Sequence, residues 1–228
     1  MDTKNPPAGA IISPDTLREN RIPPGQSRTV KWPVLDAFGP PRITSADWRL
    51  SILGLVNKPV DFDWEQFNAL PRVRVFSDFH CVTRWSRLDN LWEGVSTRHL
   101  MELAGGVKPE AKFVLAYGYD GGWTTNLPLD EFLAEDALVC THHDGEPLAI
   151  EHGGPVRLVI PRLYAWKSAK WLAGIESAER DFYWSQPSGS ELVDCKGKAD
   201  AVIVVDDKRL LIDVKTCSGS RGFNPAWF

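Results

Sequence analysis

No apolar run in this chain outlasts a short strand, and turn residues punctuate nearly every one. WRLSILGLV (48–56) reads as a strand turned by Asn57-Lys58-Pro59, VRVFSDF (73–79) as a second that ends at His80 and Cys81, and KFVLAYGY (112–119) as a third closed by Gly121-Gly122. ALVCTHHDG (137–145) reads as a strand entering a hairpin-like turn, and PVRLVIPRL (155–163) as another strand, whereas SAKWLAGIESAERD (168–181) mixes strand and turn. Helical signals are brief. They cover 61–69 behind an Asp cap, 96–105 with Ser96 as N-cap and Gly105 near its end, and 127–135. Short strands and one- or two-turn helices without a βαβ rhythm specify an α+β, mostly β architecture. Ten Trp and 17 Pro fit a loop-rich β protein in which rings fill space between irregular segments.

Charge narrows the partners. A formal net charge of -4 gives no broad electrostatic reason to bind nucleic acid or an acidic membrane. No window approaches the 18 or so apolar residues of a membrane span, and the N-terminal stretch has neither a basic–apolar signal pattern nor an Arg-Arg pair, so a cytoplasmic protein is expected. The cysteines, at 81, 140, 195 and 217, lack the CxxC spacing of a zinc knuckle and suggest no disulfide framework. Residues 1–30, rich in Pro, Gly and polar groups, are expected to be an extended arm, disordered or draped over a neighbour. Residues 31–185 form the main domain, and 186–228 form a linker (186–190) and a hairpin tail (198–215).

Three segments bring chemistry. Cys81, in SDFHCVTRWSR, follows an apolar strand, and His80, Arg84 and Arg87 are placed to favour its thiolate. A thiolate there suits a soft metal ligand or a nucleophile, and a plain buried cysteine is the bland alternative. In EHGGPVRLVIPRLYAWKSAKWL (151–172), His152, Arg157, Lys167, Ser168 and Lys170 set donors around an apolar strand, an arrangement that asks for an anion such as phosphate unless it is only a solvated edge. Its Gly-Gly-Pro turn would let a ligand approach the backbone. AYGYDGGWTTNLPL (116–129) is a weaker, Gly-rich signal, and His142-His143 lack a third zinc ligand.

The run SDFHCVTRWSRLDNLWEG, then TTNLPL, HDGEPL and HGGPVRLVIPRLYAWKSAKWL, resembles the sulfite-oxidase-like molybdopterin oxidoreductases over roughly residues 20 to 184, and most the short soluble bacterial members without a haem domain. The resemblance implies the sulfite-oxidase fold and a molybdenum cofactor held by the Cys81 sulfur. It further implies that His152 and Arg157 hold the pterin and its phosphate, that Ser168, Ala169 and Lys170 grip the same group, and that Trp92 walls the substrate pocket. Val34, Leu35 and Asp120 fall where relatives touch the pterin. Two-electron oxo transfer on a small substrate (a sulfite-like oxyanion, a sulfoxide or an N-oxide) and an electron-transfer partner follow from it. Arg84 and Arg87 are the candidates to attract an oxyanion, although their spacing departs from that of the sulfite-binding arginines.

The tail departs from the family. Residues 191–228 resemble the central hairpin of PD-(D/E)xK nucleases of the phage exonuclease kind, with Asp200, Asp213 and Lys215 in the D…D-x-K pattern that would bind Mg²⁺. The upstream acid and downstream helix of such an enzyme are missing, so the tail reads as a chimeric or mis-joined piece, and an exposed hairpin with acidic turn residues is its plainer account. A nuclease, or a binding protein of the same fold without cofactor, are the alternatives to the oxidoreductase.

Overall fold

The computed structural model describes residues 5–36, 38–121 and 123–179, with the backbone of four further strands between 184 and 212. Two short N-terminal strands, β1 (Ile11–Ile12) and β2 (Ser27–Arg28), precede β3 (Arg49–Gly54), β4 (Val60–Asp63) and helix α1 (Trp64–Asn68). A long hairpin of β5 (Val73–Cys81) and β6 (Trp85–Ser96) leads to α2 (Thr97–Leu103), β7 (Phe113–Gly118), β8 (Thr124–Pro128) and α3 (Leu129–Phe132). Strands β9 (Leu138–His143), β10 (Glu146–Pro147), β11 (Arg157–Val159) and β12 (Leu172–Ala178) complete the body.

These strands form two sheets. One runs β1-β5-β6-β9-β10, with β2 beside β6 and β11 beside β9, and the other runs β4-β3-β12-β7-β8. The main core lies between them, where Val95, Val139 and Leu158 of the first sheet meet Leu50, Ile52, Leu127, Leu172 and Ile175 of the second. The period-two pleat then turns the neighbours Leu138, Cys140 and Val159 to the opposite face of the first sheet. There a second cluster forms with Val75, Phe79 and Trp92, closed from above by Ile11 and Trp32. Strand β5 is consequently buried on both faces from Val75 onward. Gly94 marks the tightest inter-strand approach, since a Cβ there would stand 2.0 Å from the Val139 carbonyl oxygen.

The residues expected as a loose arm are instead tied to their own domain. Ile11 and Ile12 pair in parallel with Val75 and Phe76, and Ser27 and Arg28 pair with Trp85 and Ser86. Ser13 Oγ donates to Asp136 at 2.5 Å. Arg21 holds both oxygens of Asp78 at 2.8 and 2.5 Å and reaches Asp89 at 2.6 Å. Polar composition suggested disorder here, but buried carboxylates on β5 and β6 require this arginine.

Other local expectations fared unevenly. Asp63 and Gln66 form a reciprocal capping box at α1. Ser96 occupies the N-cap of α2 without a capping hydrogen bond, because it also ends β6. Only Arg157–Val159 of the stretch 155–163 is strand. Residues 186–188, expected within a linker, lie in β13 (Trp184–Ser188), which pairs antiparallel with β14 (Glu191–Cys195). The hairpin expected beyond it is present as β15 (Ala201–Val205) and β16 (Lys208–Ile212). No helix among the described residues is long and apolar enough to cross a membrane.

Arg21→Met removes the cation from buried Asp78 and Asp89, so it is expected to lower unfolding free energy by about 3 kcal/mol in urea titrations. Adding Asp78→Asn to that variant should restore part of the loss.

Candidate active site

Where the last turn of β5 meets the second layer, the pleat divides neighbouring side chains. Phe79 and Cys81, two residues apart, both line a cavity of about 300 Å³, a size that suits a bound small molecule. His80 faces the other way, with its Nδ1 2.9 Å from Ser86 Oγ and its Nε2 3.9 Å from Asp15. Burial lowers the His80 pKa to about 4, so the ring is neutral and offers Cys81 no charge, contrary to expectation.

Cys81 itself is buried, a free cysteine whose backbone is pinned twice. Its carbonyl accepts from Arg84 N–H at 3.0 Å across the Val82-Thr83-Arg84 turn and from Gln26 Nε2 at 3.1 Å. Thr83 Oγ1 donates to its sulfur at 3.2 Å. Arg84 closes the turn at φ +70° and is exposed, outside the cavity wall. Arg87 is drawn away as well, donating to Asn90 Oδ1 and to Asp144 at 2.8 Å, with His143 2.9 Å away. Neither arginine lines the cavity: Arg84 is exposed at the turn, and Arg87, although it pairs with Phe79 across the hairpin, is held by Asn90, His143 and Asp144.

The facing wall holds Arg157. Its guanidinium is almost wholly buried and donates to the carbonyls of His152 at 2.7 Å and Ser168 at 2.9 Å. It lies 5.4 Å from the Trp32 ring centre and 5.2 Å from that of Phe79. No carboxylate pairs with it among the described residues, and burial lowers its pKa to about 10. Lys170 stands nearby, donating to the Glu151 carbonyl at 2.7 Å, and burial, with Arg157 second, lowers its pKa to about 8. Arg157 thus has only carbonyl partners, whereas Lys170 also feels the carboxylates of Asp36, Asp120 and Glu151. Asp120 also lines the cavity, and burial raises its pKa.

The remaining expected residues divide. Ser168 and Leu35 line the cavity, whereas Val34 and Ala169 do not. His152 stands behind the lining, its ring stacked on Trp32 at 3.9 Å and 7°, and burial lowers its pKa to about 4. Trp92 is no pocket wall: it is fully buried beneath Trp32 and Phe79, with its indole N–H donating to Ser77 Oγ. The Gly-Gly-Pro turn is packed tightly against the chain itself, since a Cβ on Gly154 would meet the Leu148 carbonyl oxygen at 2.1 Å. Asp200, Asp213 and Lys215 lie outside the described residues. The aromatic lining was missed. Trp32, Trp85, Trp123, Trp166 and Trp171 all face the cavity, and the excess of Trp was its only trace in the sequence.

The cavity accordingly offers a sulfur donor at one side, a buried arginine without a carboxylate at another and flat rings between. Asp120 Oδ1 and Trp85 Nε1, both on lining residues, are buried with no hydrogen-bond partner among the described residues. A planar, polar ligand that carries an anionic group and a thiophilic metal fits this donor set.

A two-sheet, mostly β domain with this site defines an oxidoreductase of the sulfite-oxidase-like class, and the solved sulfane dehydrogenase SoxCD of Paracoccus pantotrophus is similar at a TM-score of 0.57 and 27% identity, over 62% of this chain and 41% of that one. The chain belongs to the oxidoreductase molybdopterin binding domain family, whose model matches residues 37–184. Its cofactor is therefore the molybdenum-bearing pterin of that family. It is 46% identical over 172 residues to the uncharacterized oxidoreductase YuiH of Bacillus subtilis (strain 168), which spans 74% of this chain and 86% of that protein. It is 30% identical over 148 residues to the protein-methionine-sulfoxide reductase catalytic subunit MsrP of Campylobacter jejuni, spanning 57% of this chain but only 48% of the relative. The family match ends at residue 184, so the nuclease likeness of the tail finds no support in it.

His152 supplies a pH test. Its pKa is lower folded (about 4) than the ordinary 6.5, so the unfolded chain binds the extra proton between these values. Its contribution to stability is complete above pH 6.5 and is lost as pH falls toward 4. Thermal melts of cofactor-free protein across that window should show a wild-type-minus-His152→Gln difference that shrinks with acidity.

Proposed function

We propose that this chain carries out two-electron oxo transfer on a small neutral substrate, a sulfoxide or N-oxide in preference to sulfite, with Cys81 as the thiolate ligand of molybdenum. When bound, the molybdenum centre supplies the oxo-transfer and electron chemistry, and the protein supplies orientation and charge. The observation that carries the reading is the pairing of a cavity-facing cysteine with a wall whose buried cation, Arg157, has no carboxylate.

Each wall then has a task. Arg157 and Lys170 would neutralise the phosphate of the pterin, and the Ser168 carbonyl and hydroxyl fix that wall through Arg157 and the Ile160 amide. Asp120, with its free oxygen, would accept from polar N–H groups of the same ligand. Trp32, stacked on His152, would close the cavity from the N-terminal side and exclude water. The β5–β6 turn beside Cys81 offers Val82, Thr83 and Trp85, and no charge. A substrate binding there meets apolar and hydroxyl groups, which favours a neutral oxide over an oxyanion. The sulfoxide reductase among the relatives supports that preference. Electrons would come from or go to a separate partner protein, in one-electron steps.

Elemental analysis of protein from a cofactor-competent host is expected to give about one molybdenum per chain, lost in Cys81→Ser. Metal retained in full by Cys81→Ser would refute the ligand assignment. With a dye as electron donor, methyl sulfoxides and N-oxides should turn over, and sulfite should not compete.

A further inference from the structure

The three-residue turn after Cys81 is strained in a way that serves one contact. Val82 and Thr83 follow the strand, and Arg84 then takes φ +70°, the left-handed conformation that a three-residue hairpin loop needs at its end. A non-glycine residue accepts that conformation only at a steric cost. Glycine at this position would relieve it, yet the loop uses arginine. Three anchors hold the turn shut. Trp85 pairs directly with Cys81 across the hairpin, and the Cys81 carbonyl accepts from both Arg84 N–H and Gln26 Nε2. Gln26 is in turn gripped by Ser86 Oγ at 2.5 Å.

The result is that Thr83 folds back over the sulfur. Its hydroxyl donates to Cys81 Sγ at 3.2 Å, a normal length for a hydrogen bond to sulfur, and the same residue lines the cavity. The other polar groups near Cys81 point elsewhere: His80 crosses to Ser86, and Arg87 goes to Asn90 and Asp144. Among the described residues Thr83 is therefore the side chain that addresses the sulfur. A hydroxyl has one proton and rotates freely, and here the backbone has already aimed it.

We propose that Thr83 is a positioning and tuning residue: its hydroxyl, by donating to the Cys81 sulfur, draws electron density from that sulfur and sets the redox potential of the metal it ligates. The inference rests on Cys81 as the molybdenum ligand, as argued above. A hydrogen bond to a thiolate weakens its donation to the metal, which stabilises the reduced state and raises the potential. A second donor would raise it further, and no donor would leave it lowest. The same bond fixes the sulfur's direction into the cavity, so the turn determines both where the ligand points and how strongly it donates.

The test uses holoprotein from a cofactor-competent host as wild type, Thr83→Val, Thr83→Ser and Cys81→Ser. Thr83→Val keeps shape and removes the donor; Thr83→Ser keeps the donor. Molybdenum content, the sulfur-to-molybdenum charge-transfer band in the visible spectrum and the potential of the Mo(VI)/Mo(V) couple, followed by electron paramagnetic resonance, are measured for each. Thr83→Val is expected to hold wild-type molybdenum with the band moved to lower energy, the couple moved to lower potential and turnover down about tenfold. Thr83→Ser should return band and potential to wild-type values. Wild-type band and potential in a metal-replete Thr83→Val protein would overturn the proposal while leaving Cys81 as ligand. Should Thr83→Val load poorly, Thr83→Ala replaces it with the same expectations. Full metal and an unchanged band in Cys81→Ser would instead show that the ligand assignment itself is wrong.

Discussion

Arg157 joins three pieces of chain that are remote in sequence and adjacent in space. Its guanidinium donates to main-chain oxygens of His152 and Ser168, and its planar face lies near Trp32 and Phe79. Remove that group and the wall at 152–170, the N-terminal segment and the end of β5 lose their common centre. A buried cation satisfied by neutral carbonyls alone is costly, as its lowered pKa records. Such a cost is tolerated where an anion completes the site, which is how a structural hub and a binding group come to be the same side chain.

The second constraint lies along the β5–β6 hairpin. Strands β5 and β6 bury Asp78, Asp89, Asn90 and Ser86, residues that belong to surfaces in most folds. Arg21 answers the two acids, and Arg87, His143 and Gln26 answer the others. This polar seam stiffens the hairpin whose tip presents Cys81. The rigidity of the metal-facing turn thus comes from ion pairs and hydrogen bonds as much as from apolar packing.

That seam also explains what the sequence could and could not reveal. Strand β5 was legible because VRVFSDF is apolar and β-branched or aromatic at most positions, whereas β6, the longest strand described, was not. WSRLDNLWEGVS carries Ser, Arg, Asp, Asn and Glu, and nothing local reveals that partners more than fifty residues away neutralise them. Cys81, Arg157, Ser168 and Lys170 were legible as site residues because chemistry and motif order marked them, and each lines the cavity. Arg84 and Arg87 were expected at the site from their closeness in sequence to Cys81, and Trp92 from the family resemblance, and none of the three lines the cavity. Arg84 is exposed at the turn, Arg87 is held by Asn90 and Asp144, and Trp92 lies buried beneath Trp32 and Phe79. Trp32 escaped notice in a Pro-rich segment, where only its packing against His152, Trp92 and Phe79, all far along the chain, marks it as part of the site.

The segment from Ile11 to Asp36 crosses an edge strand, a buried acid cluster and then the cavity mouth, and every surface it covers is built from later chain. It is made before every one of those partners. Ser13 must wait for Asp136, and Trp32 for His152. The cavity wall from Arg157 to Trp171 comes later still, so the cover and the wall it closes against are set together.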